Sequence, residues 1–329
     1  MARKKINILF MDRKGKGYVG AANTRYEFEQ AVRKYARCMF AGEGWKDHKP
    51  SESTDLTVGR VMPDVDWVID RDNNLLERRS PNRAYRIGVF ISDLHGKHYY
   101  GVSNPVEYAK LINKSDYDAV FMRYPLLYGM SYHPMVFWKH IEKEKYWIPW
   151  SVNEKTFYPR DVERDVIFIG STHHRVYPLR HEIWNNLYYV ARGYKACRHM
   201  APTGKTYDRK IEELGESYLV GEKYAEALGS SRILIFGCSI YRYPIQKFFE
   251  GTASGCLIIS NEPWGGKRLG FVHKDTFIDV DERCWEDALL YFLENEDECK
   301  RVARNGLENT LENHIHDVRA KHFVEILKR

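Results

Sequence analysis

Residues 241–261 read YRYPIQKFFEGTASGCLIISN, and they limit the fold more than any other stretch. Ile245, Phe248 and Phe249 recur at helical spacing, followed by the small residues Gly251, Ala253, Ser254 and Gly255. Cys256 to Ser260 is then a short apolar run rich in β-branched side chains, which suits a buried strand. A helix that stops at Ser254-Gly255 and drops straight into such a strand is half of a βαβ unit. Glu250 stands among the small residues, where a ligand can approach the backbone. One ionised carboxylate accepts both hydroxyl hydrogens of a ribose diol, so Glu250 is a candidate sugar clamp. It fits a solvated helix face equally well.

The neighbouring segments extend this pattern. Val166 to Ile169 is a strand, Gly170-Ser171-Thr172 a turn, and Leu179, Ile183, Trp184 and Leu187 one face of a helix. Strand, glycine turn and helix together aim backbone amides and a helix dipole at the strand end, a seat for phosphate. Arg175 and Arg180 are in range to assist. Arg232 to Phe236 is another strand, and Arg242 and Lys247 flank the 241–261 stretch as diphosphate partners or as plain surface charge. Thr276 to Asp279 is a further strand. The tail carries two helical stripes, Trp285, Ala288, Leu289, Phe292 and Leu293, then Val318, Phe323, Ile326 and Leu327, which read as core packing.

The first half alternates in the same way. Ile6 to Phe10 is a strand, and the basic, glycine-rich loop 12–20 follows it. Gly17 and Gly20 would let amides approach a phosphate or sugar, with Arg25 close behind. The spacing matches neither a Walker loop nor a dinucleotide fingerprint, and a surface loop is the competing reading. Asn23-Thr24 opens a helix, and residues 40–63 read as irregular. Val65 to Ile69 is a strand, with Asp64-Val65-Asp66 at its start, a tripeptide that resembles the metal-binding D-x-D pattern; no metal is expected here. Tyr85 to Ser92 is a clearer strand, and Asp93 and His95 sit just past its carboxyl end. Ligands bind beyond the carboxyl ends of strands in open α/β sheets, so either could act as general base toward a hydroxyl. The proline-bearing stretch 146–159 ends the alternation. The expected domains are therefore 1–155 and 156–329.

At 329 residues the chain accommodates two α/β domains. Residues 1–150 carry 25 Lys and Arg against 18 Asp and Glu, while the remainder is nearly balanced. That asymmetry suits an anionic partner for the first half, or a solvated basic surface. The six cysteines form no C-x-x-C pair and read as reduced thiols. No apolar run is long enough to span a bilayer, so a cytoplasmic protein is expected.

The segments DVIFIGS (165–171), YAEALGSSRILI (224–235), KFFEGTASGCLIIS (247–260), DTFIDVD (275–281) and ARNGLENTLENHIHDVRAKHF (303–323) resemble, in that order, the donor domain of GT-B glycosyltransferases. The likeness is greatest to the family 1-like group that includes the spore-maturation type. The linker WIPWSVNEKTFYP is similar to the inter-domain segment of that group. The resemblance implies two Rossmann-like domains facing a cleft, with a C-terminal helix that crosses back to the N-terminal domain. It implies that Glu250 holds the donor ribose and that Gly170, Ser171, Gly251 and Thr252 line the nucleotide. Lys247 stands where the group often has Arg, which keeps the charge and loses the bidentate fork. Arg242 stands where many retaining members have a second Glu. The implied reaction moves a sugar from a nucleotide-diphosphate donor, first of all a UDP-sugar, to an acceptor hydroxyl, with no obligatory cofactor. An anionic acceptor such as modified DNA, a phosphorylated glycan or a lipid head group fits the basic first half. Two other readings are a non-catalytic nucleic-acid-binding protein, with Tyr99, Tyr100 and Trp138 for stacking, and a nucleotide-sugar epimerase.

Overall fold

The computed structural model describes residues 5–46, 49, 52–71, 83–91, 105–125, 137–202, 209–214 and 218–329. The chain forms two compact units. The first comprises Met1–Lys14, Phe28–Pro149 and Ala320–Arg329; the second comprises Gly15–Glu27 and Trp150–Arg319. The division near 150 thus falls a few residues before the sequence-expected 155/156. Two segments also pack with the unit that sequence position alone would not assign them.

In the first unit, strands β1 (Asn7–Met11), β2 (Arg37–Ala41), β3 (Trp67–Arg71), β4 (Arg86–Ile91), β5 (Ala119–Met122) and β6 (Glu144–Trp147) form one parallel sheet in the order β2-β1-β3-β4-β5-β6. Helices α1 (Ala21–Val32), α2 (Thr54–Val61), α3 (Pro105–Lys114) and α4 (Phe137–His140) accompany it. Helix α2 lies inside the stretch read as irregular, the end of strand β2 runs into it, and β6 ends within the first two residues of the stretch read as linker. β6 is a half-exposed edge strand, and β2 is the other edge, so neither shows the unbroken apolar run of a central strand. Phe10, Phe28, Trp67, Phe90 and Phe121 build the core, completed by Ala320, Phe323, Val324 and Leu327 from the end of the chain. The indole N–H of Trp67 donates to the Leu327 carbonyl at 2.9 Å.

The second unit contains β7 (Arg164–Ile169), α5 (Pro178–Val190), β8 (Ala196–His199), α6 (Gly221–Gly229), β9 (Ser231–Ile235), α7 (Gln246–Ala253), β10 (Leu257–Ser260), β11 (Ile278–Asp279), α8 (Trp285–Glu294), α9 (Glu296–Asn313) and the start of α10 (His316–Leu327). Its parallel sheet runs β11-β10-β9-β7-β8. The chain goes outward from β7 to β8, then returns to β9 on the other side of β7. The order therefore reverses between β7 and β9, and that switch point is where open α/β sheets bind ligands.

The α7–β10 corner forms for local reasons. Gly255 adopts φ +80°, the left-handed conformation that glycine enters without a Cβ penalty. Its N–H donates to the Thr252 carbonyl and that of Cys256 to the Gly251 carbonyl, both at 3.0 Å, which is the Schellman arrangement. β10 then enters the sheet with Leu257, Ile258 and Ile259 wholly buried. Each contributes roughly 1.5–3 kcal/mol of apolar burial. No described helix is long and apolar enough to cross a membrane.

Candidate functional site

The turn after β7 and the end of β9 are tied together by Arg180. This arginine occupies the third position of α5 and is buried. Its Nε donates to the carbonyl of Gly237, just past β9, so one side chain bridges the switch point. Its guanidinium lies 3.9 Å from the Tyr177 ring centroid. A side chain at Gly170 would meet Arg180 Nη1 at 3.4 Å, so the cation lies directly over the glycine turn. The Gly170 N–H itself donates to the His199 carbonyl at 3.1 Å, and Ser171 follows half-buried.

Helix α7 supplies the acid. Glu250 is 6% exposed. Its Oε2 accepts the Tyr224 hydroxyl at 2.9 Å, and its Oε1 accepts the Gln246 side-chain amide at 2.6 Å. The same amide nitrogen donates to the Thr24 hydroxyl. Tyr224 is set edge-on against Phe157, with ring centroids 5.9 Å apart. Burial drives the Glu250 carboxyl above its ordinary range, opposed by the Tyr224 bond, the Lys247 charge and the Gln246 bond, and reinforced by Glu27. The Lys247 ammonium is pushed downward by burial and by Arg180, and supported by Glu250. The group is a desolvated carboxyl with a cationic neighbour, at the ligand-binding edge of a parallel sheet.

The other sequence-nominated residues fall in varied settings. Arg242 takes φ 50°, rare for a side chain of its size, and its Nη1 donates to the Glu262 carbonyl at 3.3 Å. Gly251 serves packing: a Cβ there would lie 2.5 Å from Leu234 Cδ2 and 2.6 Å from Ile258 Cδ1. Thr252 is wholly buried, donating to the Phe248 carbonyl and sharing a 2.6 Å bond with the Thr310 hydroxyl. A nucleotide lining role for Thr252 conflicts with that burial, because α9 covers its hydroxyl. Gly17 and Gly20 have positive φ, and the Gly17 carbonyl accepts Ile211 N–H at 2.8 Å, which fastens the glycine loop within the second unit. Arg25 is half-buried on α1. Asp64 and Asp66 sit at the amino end of β3: the Asp66 carboxylate accepts the Asn7 N–H at 2.7 Å, and that of Asp64 pairs with Arg37 at 2.7 Å. Trp138 is buried in the first unit. Asp93, His95, Tyr99 and Tyr100 lie outside the described residues.

Sequence reasoning passed over Tyr224, Gln246, Thr24 and Glu27. Only Gln246 had a local signal, being four residues before Glu250 and so on the same helical face. Glu27 belongs to a further chain of contacts. Its Oε2 lies 3.6 Å from His316 Nε2, and His316 Nδ1 shares a 2.8 Å hydrogen bond with the Ser151 hydroxyl.

Two Rossmann-like α/β units, each built on a parallel sheet with a switch point, define the GT-B fold. Residues 186–325 match the family model described as glycosyl transferase-like. Among solved structures, sucrose-phosphate synthase from Thermosynechococcus elongatus is similar at 11% identity and a TM-score of 0.67, with 98% of each chain covered. Anabaena HepE, solved with UDP and glucose, is similar at 13% identity and a TM-score of 0.66, covering 98% of this chain and 99% of that one. An α-glucosyltransferase in complex with UDP-glucose and DNA containing an abasic site is similar at 12% identity and a TM-score of 0.65, covering 99% and 100%. No curated protein matches the sequence. At these identities the structural likeness establishes the fold, and the family model matches the C-terminal 186–325 stretch.

Proposed function

We propose that this protein transfers a sugar from a nucleotide-diphosphate donor, a UDP-sugar, to a hydroxyl of an anionic acceptor. The observation that carries the reading is the buried Glu250 carboxyl on α7 with the Lys247 ammonium beside it, which in turn feels the charge of Arg180 at the β7/β9 switch point. In this reading Glu250 accepts the two ribose hydroxyls. Gly170 and Ser171 bring the turn and the amino end of α5 to the diphosphate. Arg180, Arg242 and Lys247 offset the negative charge that grows on the departing diphosphate, so no metal is required for that task. Gly17, Gly20 and Arg25 belong to the phosphate or acceptor loop. Asp93 or His95 takes the acceptor proton. UDP or UDP-glucose in HepE and in the α-glucosyltransferase supports the choice of donor. The basic first half and the DNA bound by the α-glucosyltransferase support an anionic acceptor, with modified DNA first and a phosphorylated glycan second.

The test is a panel of nucleotide sugars scored by thermal stabilisation, with Glu250→Ala alongside, followed by sugar transfer to DNA and to phosphoglycans. A UDP-sugar that stabilises the wild type and not the variant is the expected result, by mass action on the native state. Binding of nucleic acid with no donor binding would overturn the reading in favour of a non-catalytic protein. Donor conversion without an acceptor would make it an epimerase. For the base, Asp93→Asn and His95→Ala are compared, and one of them lowers kcat about 10²–10⁴-fold.

A further inference from the structure

We infer that Tyr224 and Gln246 are positioning residues that fix the two oxygens of Glu250 so that their remaining lone pairs meet a vicinal diol, making the site selective for ribonucleotides over deoxyribonucleotides. The inference rests on the proposed ribose contact and adds to it how the contact is made selective.

The argument starts from capacity. A carboxylate offers about four acceptor positions. Tyr224 takes one on Oε2 and Gln246 one on Oε1, so one donor sits on each oxygen. The open capacity is then divided between the two oxygens, which is the distribution a pair of adjacent hydroxyls requires. A diol that bonds one hydroxyl to each oxygen keeps both existing donors in place.

Both donors are themselves fixed. Gln246 lies one helical turn before Glu250 on α7, so backbone geometry delivers its amide to the carboxylate. The amide nitrogen also donates to the Thr24 hydroxyl on α1, which pins the rotamer from the opposite side. Reversing the amide would set its carbonyl oxygen against a carboxylate oxygen, so only one orientation serves. Tyr224 projects from the first turn of α6, and Phe157 meets its ring edge-on at 75°. Glu250 is therefore held from α1, α6 and its own helix at once. A carboxylate with no such partners rotates about its last torsion and presents one oxygen as readily as two.

Charge makes the two donors necessary as well as convenient. Only the ionised carboxyl accepts both hydroxyls, and burial disfavours that form. The charged or titratable groups acting on it are Lys247 on α7, Tyr224 on α6 and Glu27 on α1. Lys247 and the Tyr224 bond favour ionisation, while Glu27 opposes it. The uncharged Gln246 amide favours it too, without adding a cation that the diol would have to displace.

The experiment measures UDP and 2′-deoxy-UDP affinity by calorimetry, across neutral pH, for the wild-type full chain, Tyr224→Phe, Gln246→Met and Glu250→Gln. The wild type prefers UDP, and its affinity rises with pH as the carboxyl ionises. Each of the Phe and Met variants weakens UDP about tenfold, the loss of one hydrogen bond to a charged group. Each also leaves 2′-deoxy-UDP nearly unchanged, and moves the pH rise upward because a donor to the ionised form is gone. A general packing defect would weaken both nucleotides equally and leave the pH curve where it was. If both variants keep the wild-type preference and pH curve while Glu250→Gln loses UDP, positioning is overturned and the ribose contact stands. If Glu250→Gln binds UDP as the wild type does, the ribose contact itself falls. Should Tyr224→Phe not fold, Gln246→Met alone decides, since its preference ratio moves or does not.

Discussion

In the first unit, Arg71 at the end of β3 lies 3.2 Å from Glu29 and 3.7 Å from Asp12, stacked on Phe90 with its guanidinium 4.0 Å from the ring centroid. Arg123, past β5, is held in the same core against Phe28 and Phe90. In the second unit, Glu250 is equally buried, yet its direct hydrogen-bond partners are an uncharged phenol and an uncharged amide. Both groups occupy the carboxyl-end region of a parallel sheet. One buried cluster is neutralised internally by opposite charge. The other is held in position by neutral hydrogen-bond donors, with the Lys247 charge acting on it without a hydrogen bond between them. A buried charge that is ion-paired by its own fold serves the fold, whereas one oriented by neutral donors keeps acceptor positions available to a ligand.

The sharpest way to break this contrast is to remove Arg71. Arg71→Ala leaves Asp12 and Glu29 without that cation in a dry core, and the expected loss is about 3–5 kcal/mol in denaturant unfolding. A change below about 1 kcal/mol would mean that the cluster is not closed. A second test asks whether closure also occurs in the second unit. There, His314 is buried, with Nε2 2.8 Å from the Leu269 carbonyl and Nδ1 accepting from Arg319 at 2.8 Å. Burial, aided by the Arg319 charge, lowers its pKa from 6.5 to about 4. The native state thus keeps the ring neutral while the unfolded chain protonates it first. This contribution to stability is present above pH 6.5 and is lost as pH falls toward 4, by about 3 kcal/mol in all. Unfolding followed across that interval should show the loss, and His314→Gln should flatten it. Third, Gly251→Ala drives a methyl group into Leu234 and Ile258 beneath the site, at an expected cost of about 1–3 kcal/mol. Donor affinity measured on the folded fraction then shows how far α7 can shift before Glu250 loses its partners. The smallest expected effect on stability comes from Glu250→Gln, within about 1 kcal/mol of wild type, because a desolvated carboxyl is exchanged for a neutral amide. The same variant should forfeit the stabilisation of about 2.7 kcal/mol that a nucleotide at 100 times its Kd confers.

The contrast also marks how far the sequence could be read. The corner from α7 into β10 was legible because everything it needs is local: apolar spacing, a glycine for the left-handed cap and a β-branched run. The alternation of strands and helices was legible for the same reason. The switch point was not, since it depends on β7 pairing with β9 across more than sixty residues of intervening chain, including β8, whose ACRH sequence carries no strand signal. Glu250 was nominated by its carboxyl and its small neighbours, but Tyr224 reaches it from another helix and Thr24 from near the start of the chain. Thr252, placed at the nucleotide by resemblance alone, shows the same limit: its burial against Thr310 is decided by α9, some sixty residues on.

The exchange of segments between the units has a consequence for how the chain is made. Ala320, Phe323, Val324 and Leu327 belong to the core of the first unit, yet the ribosome adds them after the whole of the second. During synthesis the first sheet therefore waits with part of its apolar face uncovered, while the second unit has its strands and its Gly15–Glu27 segment at hand as soon as Arg319 emerges. The half made first is the half finished last. Deleting residues 320–329 would strip side chains from the first sheet and leave every strand of the second intact.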